Sequence, residues 1–526
     1  MKQFLLTILL GSATLPVISQ QLQFNAPDPL PRGSYGDIHS SPGTLGDHYY
    51  LLYNQMKRKA RGAEDPGDAY VKIYSVSRGT LLRTVNLDSI AAGAHPQEAV
   101  LFSEFFIWRG AFLGVYAGWK PSGTWVNLYA QRFDDGGSPL GGPLLLATAR
   151  PRAAAEGGEG KVASLETASI LRLATEIHHA FNEDSSRLTL YDTGTDWTGI
   201  PVMTLSASVT SVVKQPVDVP AAGHLVRAVP GDADSLFVLV ASQAAAPGAQ
   251  PSFTLLSYDG KTALPESIHI TLPGRNIQDA TFRVEKDAHL VVTGTYAPGG
   301  DKAGDKTTYG VFALNMTPAG ELVHSDLRPF PAAMISDLDG YRASRKDQGL
   351  KGVVRLKGLV AMPGAGMVSI GASAYQRSEV TASPMVLEPH YDAGGNFVLT
   401  KVSPSGEIRW LSYLKRFYED YPSTAAPAPF YVTHDGGQLM VVYDENGEER
   451  THQQIFVDRY DDRGMRDRDW MALPRSFNTR STWIMWNTAA RTGHDQIMVA
   501  YYNTWKKELG TLKIGLSPDM RLSLNP

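Results

Sequence analysis

A turn recurs along this chain at a spacing that few folds can accommodate. Each copy is an alternating stretch, a turn with Gly or Asp, and a second alternating stretch, as in "YVKIYSVSRGTLLRTV" and "FVLTKVSPSGEIRW". The turns centre on Gly79, Gly136, Gly194, Gly260, Gly320, Gly406, Gly464 and Asp519, with successive gaps of 57, 58, 66, 60, 86, 58 and 55 residues. A strand rich in Val, Leu, Ile and Tyr precedes each turn, at 47–54, 111–119, 170–181, 235–242, 288–297, 366–375, 437–446 and 495–504. Short polar turns such as "DGGQ", "EKDA" and "TGHD" open several of these strands and require one more strand before them. "ATFRVEKD" (280–287) and "PFYVTHDG" (429–436) fill that place.

Each unit is thus four antiparallel strands in about 58 residues, repeated with no helical period. A sheet of that size cannot bury both faces alone, so it must stack on its neighbours. Radial stacking gives the blades of a β-propeller and leaves only short edges. Separate sandwich domains would need about 100 residues each, with linkers between them; no long Pro- or Ser-rich linker occurs. The expected fold is all-β: a single β-propeller of about eight four-stranded blades over residues 20–526, with seven blades as the alternative. Closure of the ring falls either to "RLSLNP" (521–526) or to "QLQFNAPDPL" (21–30).

The gap of 86 residues marks a long insertion within about 331–396. Its first part, 333–352, has helical spacing of Ile335, Leu338 and Tyr341 and predicts a short helix after a blade's outer strand. Its second part, 376–396, predicts a long loop between two strands of one blade.

Residues 1–19 read as a secretory signal: Lys2, an apolar run from Phe4 to Leu10, and small residues Val17 and Ser19 before the cut. The run is shorter than the roughly 20 apolar residues of a membrane span. An exported location follows, periplasmic or extracellular. The chain has no cysteine, which excludes disulfides, thiolate metal sites and cysteine nucleophiles. Its net charge is −4 with both signs scattered, so neither a nucleic-acid footprint nor a polybasic membrane stripe is present. A monomer is expected.

Several local patterns bear on chemistry. "YDTGTDW" resembles the Asp-box of sialidases and other propellers through Asp192, Gly194 and Trp197, although Leu190 and Asp196 depart from it. In families that carry it, this box is a folding turn between a blade's outer two strands. "GEIRW" (406–410) resembles the Gly-x-x-x-Trp ending of quinoprotein repeats, but it occurs once. No cofactor is expected: carboxylates concentrate at 444–449 and 458–469 as calcium would want, but the first segment lacks the distant bidentate Glu and Asn446-Gly447 reads as a tight turn. Interleaved arginines in the second segment point instead to a salt-bridged surface, and no metal ligand set is assigned. His178 and His179 are strand neighbours and point to opposite faces.

No H-E-x-x-H, G-x-S-x-G or phosphate-binding loop occurs, so no catalytic residue is assigned. The candidate ligand-binding residues are Trp119, Lys120, Trp505 and Lys506, in "AGWKPSG" and "NTWKKELG". Each pair ends a strand at an equivalent place in its blade, and aromatic bodies beside lysines suit sugars or peptides. The export signal, the S-P-x-G-E and D-D-x-G turns, and a Trp following such a turn resemble exported bacterial β-propeller proteins of unassigned function. That resemblance implies no active residue. The function expected is binding or scaffolding of a protein or glycan; the alternative is a propeller-type polysaccharide hydrolase or lyase.

Overall fold

The computed structural model describes residues 22–516 apart from 25–27, 30–33, 59–63, 66–68, 121–122, 152–176, 183, 195–196, 207, 220–222, 233, 243–250, 261–263, 286–287, 300–306, 340–348, 352, 363, 374–396, 415–429, 436–437, 447–452, 474–481, 494 and 504–505. The signal segment 1–19, Tyr341, the loop 376–396, Trp505 and Asp519 lie outside the described residues.

Eight sheets of four or five antiparallel strands follow one another along the chain, with one two-stranded ribbon beside them. Their first strands are Ser34–Leu45, Ala99–Trp108, Ile177–Phe181, Gly223–Pro230, Arg275–Val284, Val354–Met362, Tyr431–Asp435 and Thr482–Gly493. Consecutive first strands touch all the way round, and that of blade 8 touches that of blade 1. The eight blades therefore form a closed β-propeller whose first strands surround the axis.

Burial explains the layering. The second strands Ala111–Trp119 and Leu290–Pro298 are buried at all but one position, because sheets cover them on both sides. They read as continuous apolar runs for the same reason. The outer strands are wet: Leu322–Pro329 in blade 5 has no fully buried residue. The core is divided into wedges between neighbouring blades. Tyr50, Val71, Phe112 and Phe133 fill the gap between blades 1 and 2, and Tyr49, Leu51, Met498 and Ala500 the gap between blades 8 and 1.

The recurring glycine answers to two constraints at once. Gly320 and Gly464 have φ of 85° and 76°, a region that disfavours side chains. Each also presses on the preceding blade: a Cβ on Gly320 would lie 2.8 Å from Ile268, and one on Gly464 would lie 2.6 Å from Trp410. At these two positions the repeat seen in the sequence is thus a joint between blades. In six blades the turn joins the third and fourth strands, as at Gly79, Gly136–Gly137, Gly260, Gly320, Gly406 and Gly464.

Blade 3 departs from that expectation. Gly194 lies between its second and third strands, Arg187–Asp192 and Val202–Ser206. The turn between its outer strands runs instead through Val209, at φ 51°, whose N–H donates to the Ser206 carbonyl at 2.9 Å. A valine gives no turn signal, so the spacing attached itself to the nearest glycine. The stretch 170–181 was expected as a second strand; its described part, Ile177–Phe181, is the innermost one. The Asp-box likeness is likewise not an outer turn here. Asp192 Oδ1 accepts from Gly194 N at 2.9 Å, and Trp197 is buried, with Trp197–Thr198 pairing on the outer strand of blade 2.

Closure uses the N-terminal alternative. Leu22–Phe24 pairs antiparallel with Glu508–Gly515 as the outer strand of blade 8, and Asp28–Pro29 pairs farther along the same strand. The expected helix is Ala332–Asp339, following the outer strand of blade 5 and burying Met334, Ile335 and Leu338. Among the described residues no helix is long and apolar enough to cross a membrane.

Two outcomes test this account. Gly464→Ala is expected to cost about 1–3 kcal/mol through overpacking on Trp410, measured by denaturant unfolding. Deletion of residues 20–30 strips blade 8 of its outer strand and is expected to lower the thermal midpoint by roughly 5 °C or more. An unchanged midpoint would mean that the ring closes without that strand.

Candidate functional site

The innermost strand carries a β-bulge at the same level in five blades, at Ile38/Ser40, Phe102/Glu104, Leu225/Arg227, Ile277/Asp279 and Leu356/Gly358. A bulge bends its strand and re-aims the next side chain. Glu104, Arg227 and Asp279 directly follow the bulges of blades 2, 4 and 5, so a repeated backbone device brings charged groups to one level of the axis.

Blades 3–6 enclose two cavities there. The larger, about 890 Å³, is lined by His179, Phe181, Asn182, Asp184, Arg227, Asp232, Arg283, Glu285, Leu359 and neighbours. Several of these sit in the turns between first and second strands, so this cavity opens on the end of the ring that carries those turns. The smaller, about 260 Å³, is lined by His178, Tyr191, Arg227, Asp279, Thr281, Leu356 and Leu359, among others. The two share Arg227 and Leu359, which mark the neck between them. His178 and His179 diverge as strand neighbours must, one into each cavity.

Glu104, Asp279 and Glu285 are engaged with protein groups. His179 Nδ1 lies 3.3 Å from Glu104 Oε2, and its ring stacks on Phe106 at 4.1 Å. Asp279 accepts from its neighbour Ala280 N and, across the blade boundary, from Leu356 N, each at 2.9 Å. Burial nevertheless raises the Asp279 pKa, with Arg355 and His224 opposing the shift. Glu285 Oε1 lies 3.5 Å from Arg283 Nε, and Arg283 also donates to the Gly366 carbonyl of blade 6. Burial lowers the pKa of His178 and of His224 and raises that of Tyr191. Arg227 Nε is buried with no hydrogen-bond partner.

Chemically the site is a polar-lined axial pocket with one uncommitted guanidinium edge at its neck. Among the described residues no group of three or more His, Asp or Glu converges as a metal site. In the second calcium segment, Asp458 is fully buried and accepts from Arg468 Nε at 2.7 Å and from Tyr443 Oη at 3.0 Å. The arginines there do pair with the acids, but the central acid is internal rather than on the surface.

Trp119 ends the second strand of blade 2 and Lys120 follows it, at the end of the ring away from the turns that line the larger cavity. Trp119 is half-buried and packs on the apolar wedge between blades 2 and 3; Lys120 is exposed. Lys506 is exposed after the second strand of blade 8, and its N–H donates to Asn503 Oδ1 at 2.9 Å. Trp505 lies outside the described residues. Neither cavity is lined by Trp119, Lys120 or Lys506. The histidine doublet was the one visible sign of the axial site; "HLVRAVP" around Arg227 carries no local signature.

No protein-family model matches this chain, and no curated protein matches it. Solved structures do. The chain is similar to the polysaccharide lyase Uly1 at 11% identity and a TM-score of 0.38, over 79% of this chain and 90% of that one. It is similar to the β-propeller domain of the trilobed protease from Pyrococcus furiosus at 7% identity and a TM-score of 0.31, over 94% and 100%. It is also similar to the GH93 α-L-arabinofuranosidase of Fusarium graminearum at 11% identity and a TM-score of 0.30, over 65% and 92%.

The Asp279 environment yields a signed expectation. A raised pKa means the folded state binds this proton more tightly than the unfolded state. Its contribution to stability is therefore lost as pH rises above the ordinary value of 3.8. In thermal melts at a series of pH values, the wild type should lose ground to Asp279→Asn as pH rises from that point. The opposite slope would show that Arg355, His224 and the two N–H donors outweigh burial.

Proposed function

We propose that this chain is an exported binding protein that takes its ligand, a protein or glycan of the cell envelope or exterior, into the axial cavity over blades 3–6. The observation that carries the reading is the state of three acids near the axis, Glu104, Asp279 and Glu285. Glycoside hydrolysis needs two carboxyl groups flanking the bond, one protonated and one able to act as base or nucleophile. Here both oxygens of Asp279 accept backbone N–H groups, Glu104 faces His179 and Glu285 faces Arg283. Such a set shapes and charges a pocket, and it favours holding a ligand over hydrolysing one. The cavity volume of about 890 Å³ falls within the size range of ligand pockets, about 300–1,000 Å³. Export supports an envelope ligand through the signal-like residues 1–19.

Hydrogen exchange of the chain with and without fractionated envelope glycans and proteins tests the reading. Bound ligand should slow exchange at 179–185, 227–232 and 283–285. Protection confined to the outer strands would overturn the site. Cleavage of a polysaccharide, seen as new reducing or unsaturated ends, would replace binding with catalysis.

A further inference from the structure

Arg227 is placed where a structural arginine gains little. It follows the bulge of the blade 4 inner strand and stands at the neck common to both cavities. A guanidinium cannot shed its charge in a protein, and a buried donor without an acceptor is destabilising. Glu104 faces His179, Glu285 faces Arg283, and Asp279 faces Leu356 and Ala280; Asp184 and Asp232, in the same lining, make no hydrogen bond or ion pair to Arg227. Arg227 Nε is thus open to an acceptor from outside the chain.

Resting on the channel reading above, we infer that Arg227 anchors the carboxylate of an acidic saccharide, a uronate, bound in the larger cavity. The planar fork of Arg matches a carboxylate in two parallel hydrogen bonds, which a lysine cannot reproduce. The rest of the cavity narrows the ligand. Asp184 and Asp232 stand in its lining. They repel a ligand that is anionic throughout and accept hydrogen bonds from sugar hydroxyls. Phe181 and the His179 ring, itself stacked on Phe106, offer flat faces for a sugar ring. One negative end and a hydroxyl-rich, ring-shaped remainder describe a uronate.

Calorimetry on the full chain with three probes tests this: a trisaccharide with a single terminal galacturonate on two galactose units, the matching neutral galactose trisaccharide, and trialanine with a free carboxylate. The galacturonate should bind at least about tenfold more tightly than either other probe, the scale of one charge-assisted contact. Arg227→Met should remove that preference and leave the thermal midpoint unchanged or higher, since no internal bond is lost. Arg227→Lys should restore only part of it. Ala361→Trp, on the cavity wall, should block all saccharide binding. Absence of galacturonate binding, equal binding of the neutral sugar, tighter binding of trialanine, or a midpoint several degrees lower in Arg227→Met would overturn the inference. If Ala361→Trp abolishes binding but Arg227→Met does not, the channel reading stands and the carboxylate anchor falls. Galacturonate binding untouched by either change would overturn both.

Discussion

Every sheet in this molecule has two apolar faces, and it can hide both only if another sheet stands on each side. That demand has no end in a row of sheets, because the first and last would each leave a face in water. A ring removes the ends. The apolar wedges between blades are thus the principal source of cohesion, and the contact of Thr482–Gly493 with Ser34–Leu45 is what allows all of them to be filled. The pairing of Leu22–Phe24 with Glu508–Gly515 ties the two ends of the chain into one sheet, a role that a cysteine-free chain cannot give to a disulfide.

The turn glycines serve the same packing. In blades 5 and 7 the outer turn leans so closely on the preceding blade that no Cβ fits, as Gly320 against Ile268 and Gly464 against Trp410 show. Blade 3 meets the constraint differently. It turns through Val209, which packs on the wedge between blades 2 and 3, and sends Trp197–Thr198 across to the outer strand of blade 2. The strand exchange is a second fastening between these two blades.

Around the axis the physics changes from apolar packing to polar geometry. The inner strands converge there, and bulges at one level turn Glu104, Arg227 and Asp279 out of the regular alternation. Asp279 fastens blade 5 to the Leu356 backbone of blade 6, and Arg283 fastens the same pair through the Gly366 carbonyl. The groups that shape the pocket are therefore also groups that hold neighbouring blades together. Arg227, at the neck between the two cavities, makes no such bond between blades.

From sequence alone came the repeat, the four-stranded unit, the ring and its count, because strand alternation and turn glycines are local properties written every few residues. The helix at Ala332–Asp339 was legible for the same reason, through the spacing of Ile335 and Leu338. Blade 3 was misread where Val209 took the place of a glycine, since a strained turn with an ordinary side chain leaves no compositional mark. The axial site was decided only by tertiary structure. Glu104, His179, Arg227, Asp279 and Glu285 come from four blades, and a closed ring brings together residues that lie far apart along the chain. Whether each is paired depends on bulges and on contacts between blades, and neither is a property of any short stretch of residues.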